Sequence, residues 1–313
     1  MDQKIKSAYL APEGLIEPLL KEVDGVVSVH DQLILSNKPF VNAHWAQNIW
    51  KNPLTLSIGS INDAAKKLKD IQRNWCLYSV MLHRRAKLIE KKLNSNKPRP
   101  IQFPTTFPIK EGGSWCLLDE NTLLASSDCS SPFPNGEPAF IENKKGPPNR
   151  AYLKLYEALI LAGKTPKAGE FCIDIGGSPG GWAWVIQKCG ADVLSIDRSF
   201  LDEKISSLKG VSFEKRDAFS LLPKEFEKDG KNVDWFFSDV ICYPEKLYNW
   251  LSMWINSGIC KNFICTIKFK GEPDPKIIKK FASIENSKLV HLFHNKNELT
   301  FMKIGQPTSK FPR

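Results

Sequence analysis

The chain is 313 residues long, with 42% hydrophobic and 25% charged side chains. That balance buries a sizeable core and excludes a disordered tail or a disulfide-stapled miniprotein; at roughly 150 residues per domain it fits about two domains. Lys and Arg outnumber Asp and Glu by 44 to 34, a formal charge of +10 divided evenly between the two halves, which favours a polyanionic partner without identifying one.

No stretch of about 18 apolar residues occurs, so no membrane span is expected. The opening MDQKIKSAYLAPEG lacks the long apolar core of a secretory signal, which points to the cytoplasm. The eight cysteines form no CxxC pair and read as reduced, mostly buried thiols. The five histidines are scattered, and no metal site is expected.

In chain order, SAYLAPEGLIEPLLKEV reads as a short strand, a turn and a helix. Over residues 63–93, Leu68, Ile71, Trp75, Tyr78, Leu82, Ala86, Ile89 and Leu93 recur at spacings of three and four, which predicts one long helix with a packing stripe. Its end is basic, through Arg84, Arg85, Lys87, Lys91, Lys92, Lys97 and Arg99, and prolines 98, 100 and 104 stop it. Residues 125–150 are rich in Ser, Pro, Gly and Asn and read as an interdomain connection, which predicts an N-terminal domain of mixed α+β character over 1–146 and a second domain over 147–313.

Beyond residue 150 the rhythm changes. Apolar strand-like runs at 171–175, 192–196, 211–213, 233–239 and 263–268 alternate with plausible helices at 151–163, 181–190, 200–208, 244–257 and 274–285. Such alternation predicts an α/β fold with a parallel sheet covered on both faces. The last two runs, 288–293 and 299–304, are separated only by HNKNE, too short for a crossover helix, so they should pair antiparallel. This predicts a Rossmann-like, seven-stranded, mostly parallel sheet with an antiparallel final strand, the pattern of class I methyltransferases.

After the first of these strands comes Gly176-Gly177-Ser178-Pro179-Gly180-Gly181-Trp182 and then a helix. Such glycines permit a tight turn and close backbone approach to a ligand. The dinucleotide fingerprint would need glycine at 178, where Ser stands, and no Walker lysine follows. Asp174, Asp197 and Asp217 fall at the ends of three successive strands. They suit, in turn, an amine-bearing group, the two hydroxyls of a ribose, and an adenine amino group. That combination, without a phosphate, describes S-adenosylmethionine. Trp182 and Trp184 flank the loop's helix and read mainly as packing residues, with Trp182 kept as a possible ligand contact.

DIGGSPGGW resembles the DLGxxPGGW loop of FtsJ-type RNA 2′-O-ribose methyltransferases, and the resemblance spans about residues 148–304. NRAYLKL resembles the family's SRAxxKL helix and places Lys154; FFSDV resembles its SDM strand end and places Asp239. TIKFK resembles its lysine strand and places Lys268, and NELT resembles its closing glutamate segment and places Glu298. Asn149 stands where Ser is usual, Ile175 replaces Leu and Val240 replaces Met, changes that remove no charged group. The long N-terminal extension, the SPF segment near residue 131, the TIK strand and the ending resemble members acting on a cytidine of large-subunit rRNA.

The resemblance implies an RNA substrate gripped by an RNA-binding or accessory domain over 1–146, S-adenosylmethionine bound by the glycine loop and by Asp174, Asp197, Asp217 and Asp239, and the set Lys154, Asp239, Lys268 and Glu298 at the chemistry of a catalytic domain over 147–313. A ribose hydroxyl is a weak nucleophile, and a lysine is normally an ammonium at neutral pH; a second cation nearby favours its neutral form. Lys268 would then serve as general base, Lys154 would stabilise the developing oxyanion, Asp239 would orient Lys268 near the methyl donor, and Glu298 would hold the lysines and the ribose. Two other readings stay open: an RNA-binding protein that keeps the fold without turnover, and a methyltransferase of another substrate class, for which Cys242, three residues past Asp239, is the nearest candidate nucleophile. The oligomeric state is not encoded in these patterns.

Overall fold

The computed structural model describes residues 4–93, 100–104, 112–227 and 233–305. Backbone contacts divide these into two units. The first holds the described residues up to Gln102 and on to Ile141; the second runs from Glu142 and includes Phe103 and Pro104. Lys97, Pro98 and Arg99 lie outside the described residues. Among the described residues no helix is long and apolar enough to cross a membrane.

The first unit is mixed α+β. It comprises β1 (Ser7–Leu10), α1 (Ile16–Leu20), β2 (Val26–His30), β3 (Leu33–Ser36), β4 (Asn48–Lys51), β5 (Leu54–Ser57), α2 (Ile61–Ile71), β6 (Trp75–Leu77), α3 (His83–Leu93), β7 (Gly113–Leu117), β8 (Thr122–Ser126) and β9 (Asp128–Cys129). The strands form a five-stranded sheet, β2-β3-β1-β4-β9, and a four-stranded sheet, β5-β8-β7-β6. Ala64, Ala65 and Leu68 of α2 and Ala86, Ile89 and Leu93 of α3 pack against Trp115, Leu117, Leu123 and Ala125 of the second sheet.

The long helix expected over 63–93 is instead two helices with a strand between them. The chain leaves α2 at Gln72, whose backbone is extended. Trp75 donates its indole N–H to Leu68 O and Gln72 O, and β6 then pairs parallel with β7. Trp75 therefore meets the same core as Leu68, but from a strand. The Ser/Pro-rich stretch expected to be a connection from 125 onward is also partly structure: Ser126 hydrogen-bonds Lys51 O, and buried Asn135 donates to Leu77 O.

The second unit comprises α4 (Tyr152–Ala162), β10 (Phe171–Ile175), α5 (Gly181–Lys188), β11 (Asp192–Asp197), α6 (Glu203–Ser206), β12 (Val211–Lys215), α7 (Lys224–Glu227), β13 (Val233–Ser238), α8 (Pro244–Ser257), β14 (Cys260–Lys268), α9 (Pro275–Ala282), β15 (Ser287–Val290) and β16 (Glu298–Lys303). Its seven-stranded sheet has the order β12-β11-β10-β13-β14-β16-β15. β10 to β14 pair in parallel, and β16 enters antiparallel between β14 and β15, as the sequence pattern predicts. This is the class I methyltransferase fold.

Local chemistry sets the element ends. Pro244 and Pro275 occupy first turns, where no backbone donor is needed, and Asp274 caps α9 by accepting from Lys276 N. Gly163 and Gly258 close α4 and α8 in the left-handed conformation. Between sheet and helices, Phe236 lies 4.9 Å from Trp250 and 4.8 Å from Trp254, ring centre to ring centre. These buried aromatics make β13 a rigid floor under the loop that follows it.

Candidate active site

Strand order reverses between β10 and β13, and in open α/β sheets ligands bind at the carboxyl ends of strands flanking such a point. Gly176 follows β10 there, and Asp239 follows β13. Asp239 N donates to Ile175 O at 3.3 Å, so the two strand ends are tied together. Gly176 has φ +72°, and a Cβ on it would lie 2.6 Å from Val240 Cα. A Cβ on Gly177 would collide with Ser195 Oγ and lie 2.7 Å from Asp174 Oδ2. Both positions therefore need glycine.

Asp174 lies beneath this loop with no exposure, and neither carboxylate oxygen makes a hydrogen bond of ordinary geometry. Burial, reinforced by Asp239 and Asp197, pushes its carboxyl well above the usual carboxylate range. A fully buried acid with only weak contacts to Ser195 and the Ala183 backbone is costly, and its presence beneath a bare glycine loop fits an amine or cationic ligand group. Asp197 accepts from Ser178 N and Ser199 N and so anchors the loop. Asp217 accepts from Phe219 N and pairs with Arg198; that backbone bond, then Arg198, holds its carboxyl below the usual range. The structure places Trp182 in the packing and not on the crevice: it is 3% exposed, donates its indole N–H to Ala151 O, and meets Phe237 edge-on. Its bulky indole is therefore taken up in packing.

The four charged residues come from four elements and meet at one point. Lys154 on α4 pairs with Glu298 and, at 3.2 Å, with Asp239 Oδ1. Lys268 Nζ reaches the same oxygen at 3.1 Å and also donates to the Asp239 backbone O at 2.6 Å. Lys268 and Glu298 are direct partners in the β14–β16 register. The arrangement is a chain, Glu298–Lys154–Asp239–Lys268, whose side chains are 10%, 8%, 19% and 24% exposed in that order. Two ammonium groups share one carboxylate oxygen; Lys268 is the more open of the two, and Lys154 is clamped by two acids.

Several supporting residues escape sequence reasoning. Glu157, one turn after Lys154, is buried and accepts from Phe293 N at 2.8 Å, His294 N at 3.2 Å and His294 Nδ1 at 2.7 Å. Asn295 donates to Glu298 O and to Thr300 Oγ1. Asn297 donates to Phe269 O and Gly271 O, tying the end of β14 to the start of β16. His291 is buried, hydrogen-bonds Lys296 O and faces Lys154; burial first, then that cation, pushes it down to about 4. The one available signal was the lone acid Glu157 in the apolar run YLKLYEALILA.

The fold and the charge chain together define a methyltransferase domain. The model of the FtsJ-like methyltransferase family matches residues 147–296. Among curated relatives, the chain is similar to ribosomal RNA large subunit methyltransferase M of Xanthomonas oryzae pv. oryzae (strain PXO99A), 27% identical over 259 residues, covering 77% of this chain and 69% of the relative. The protein of that name from Xanthomonas axonopodis pv. citri (strain 306) is 30% identical over 217 residues, 66% of this chain and 56% of the relative. That from Halorhodospira halophila is 26% identical over 176 residues, 54% of this chain and 50% of the relative. The chain thus spans about half to two thirds of the length of these relatives. Among solved structures, a Methanococcus jannaschii fibrillarin pre-rRNA processing protein matches with a TM-score of 0.37 and 21% identity, over 50% of this chain and 77% of that one.

Proposed function

We propose that this protein transfers a methyl group from S-adenosylmethionine to a ribose 2′-hydroxyl of large-subunit ribosomal RNA, at a cytidine. The observation that carries the proposal is the meeting of Lys154, Lys268 and Glu298 around Asp239, beside a glycine loop roofing the buried Asp174. When bound, S-adenosylmethionine supplies a methyl carbon activated by its positive sulfur. Gly176, Gly177, Ser178, Pro179, Gly180, Gly181, Asp174, Asp197, Asp217 and Asp239 are the residues that would hold it. Asp174 suits its amine and Asp197 its ribose hydroxyls.

Lys268 is the general base. It is the more exposed of the two lysines, and its Nζ is fixed by Asp239 through both side chain and backbone. A positioned base of this kind contributes roughly 10²–10⁴-fold. Lys154, held between Asp239 and Glu298, stabilises the oxygen as it loses its proton. Its neighbour His291, pushed down to about 4, is neutral at physiological pH and adds no competing charge. Base methylation through a thiolate is disfavoured, because burial pushes the Cys242 thiol up to about 11.

The test is methyl transfer from tritiated S-adenosylmethionine to unmodified large-subunit rRNA, followed by nucleoside digestion. Label in 2′-O-methylcytidine with the native protein, and a loss of at least a hundredfold in Lys268→Ala with donor binding retained, is the expected result. Label on a base, or equal transfer by both proteins, contradicts the proposal. Donor binding without transfer by the native protein would indicate a retained fold without turnover.

A further inference from the structure

Among the described residues of the methyltransferase unit, four large apolar side chains are exposed: Phe200 (67%), Ile241 (73%), Tyr243 (68%) and Phe293 (42%). All four sit on loops at the carboxyl edge of the sheet, the edge that carries the charge chain, and none lies on the helical faces. Scattered exposure of apolar side chains needs no explanation, but its restriction to one functional edge does. Ile241 and Tyr243 follow Asp239 by two and four residues.

Tyr243 is not a loose loop residue. It caps α8, its carbonyl accepts from Lys246 N and Leu247 N, and Pro244 fixes the turn after it. Its ring is exposed on a rigid support. Lys270, two residues beyond Lys268, stands over the ring at 5.7 Å. The loop carrying Lys270 is itself pinned, since Asn297 donates to Phe269 O and Gly271 O on either side of it. Lys246 and Lys268 both bear on Cys242, between Ile241 and Tyr243. A flat aromatic face near Asp239 thus carries one cation, Lys270, over its ring, while Lys246 stands over the Phe219 ring at 4.1 Å and Lys268 is held on Asp239.

We propose that Tyr243, supported by Ile241, is the stacking platform for a nucleobase of the RNA at or next to the methylated nucleotide, with Lys270 taking an adjacent phosphate. This rests on the reading of RNA as substrate and names the surface that presents it. A nucleobase offers a π-face and a phosphate offers charge, and single-stranded RNA carries both at the spacing of one nucleotide. A purely apolar protein partner would not match the cations. Stacking on a protein aromatic is worth enough to change binding about tenfold or more. The platform is sequence-tolerant, so it orients the ribose without choosing the base.

The experiment uses the full chain with unmodified large-subunit rRNA transcript. Tyr243→Ala should lower kcat/KM for the transcript by about tenfold or more, chiefly through KM. Tyr243→Phe and Tyr243→Trp should stay within about threefold of native, and the affinity for S-adenosylhomocysteine should be the same in all four proteins. Tyr243→Ala within twofold of native overturns the proposal. So does an equal loss in all three variants, a loss that follows S-adenosylhomocysteine affinity, or a dimer that Tyr243→Ala dissociates with kinetics unchanged. Ultraviolet crosslinking of the S-adenosylhomocysteine-bound protein to the transcript separates this from the function itself. If the native protein methylates no ribose, the functional reading fails; a crosslink on the peptide containing Tyr243 still supports the platform, and its absence removes it.

Discussion

The two flanks of Asp239 are built differently. On one side Lys154, Glu298, Glu157 and His291 are all buried, and hydrogen bonds fix the 293–294 loop to α4. On the other side Lys268 is a quarter exposed, and Tyr243 and Lys270 lie beyond it toward solvent. One carboxylate serves both. Under the proposed function the contrast separates two tasks: the buried flank sets position, and the open flank faces the RNA.

The sharpest way to break this comparison is to remove one lysine from each flank and measure unfolding by denaturant. Lys154→Met leaves Asp239 and Glu298 facing each other in a buried setting, and should cost about 3–5 kcal/mol. Lys268→Met, at the open end of the same chain, should cost about 1 kcal/mol or less while abolishing most transfer. Equal costs would mean that the two flanks do not differ in the way burial implies.

Acid offers the next largest effect. His291 has a folded-state pKa of about 4 against about 6.5 unfolded, so the unfolded chain binds the proton first as pH falls. Its contribution is fully present above about pH 6.5 and is lost progressively toward pH 4, by roughly 3 kcal/mol in total. His291→Gln should flatten that acid limb of the stability curve; an unchanged limb would show that the ring titrates freely.

Asp174 has the opposite sign. Its folded-state pKa is raised, so its contribution is present at low pH and is lost as pH rises through the folded value. Melting temperatures of the ligand-free protein should fall over that rise, Asp174→Asn should remove the fall, and S-adenosylhomocysteine should reverse it in the native protein only. The smallest effect belongs to the open flank's rim. Lys270→Ala should raise KM for the RNA a few-fold and reduce the salt slope of binding by about 1, with stability unchanged; an unaltered slope would take the phosphate contact away from Lys270.

What the sequence discloses follows the physics of each region. Strands β10, β13 and β14 are almost wholly buried and read as apolar runs, so the centre of the sheet was legible, whereas edge strand β12 is largely exposed; the charged set was legible through the motifs NRAYLKL, FFSDV, TIKFK and NELT. The region 61–93 was not, because Leu68, Trp75 and Ala86 keep helical spacing although Trp75 sits on a three-residue strand pairing with residues 113–115. Such a strand exists only through its distant partner. Glu157 was hidden for a related reason: its partners are the backbone amides of residues 293 and 294, more than a hundred positions away. Trp182 shows the converse, a residue adjacent to the glycine loop in sequence whose ring turns into the core.

The central claim is that the shared carboxylate holds two lysines for transfer to a ribose oxygen. Mapping ribose methylation across the rRNA of cells with and without this gene tests it most directly. Loss of a single 2′-O-methylcytidine from the large subunit, restored by the native gene but not by Lys268→Ala, is the predicted result; an unaltered ribose map, or the loss of a base methyl instead, would contradict it.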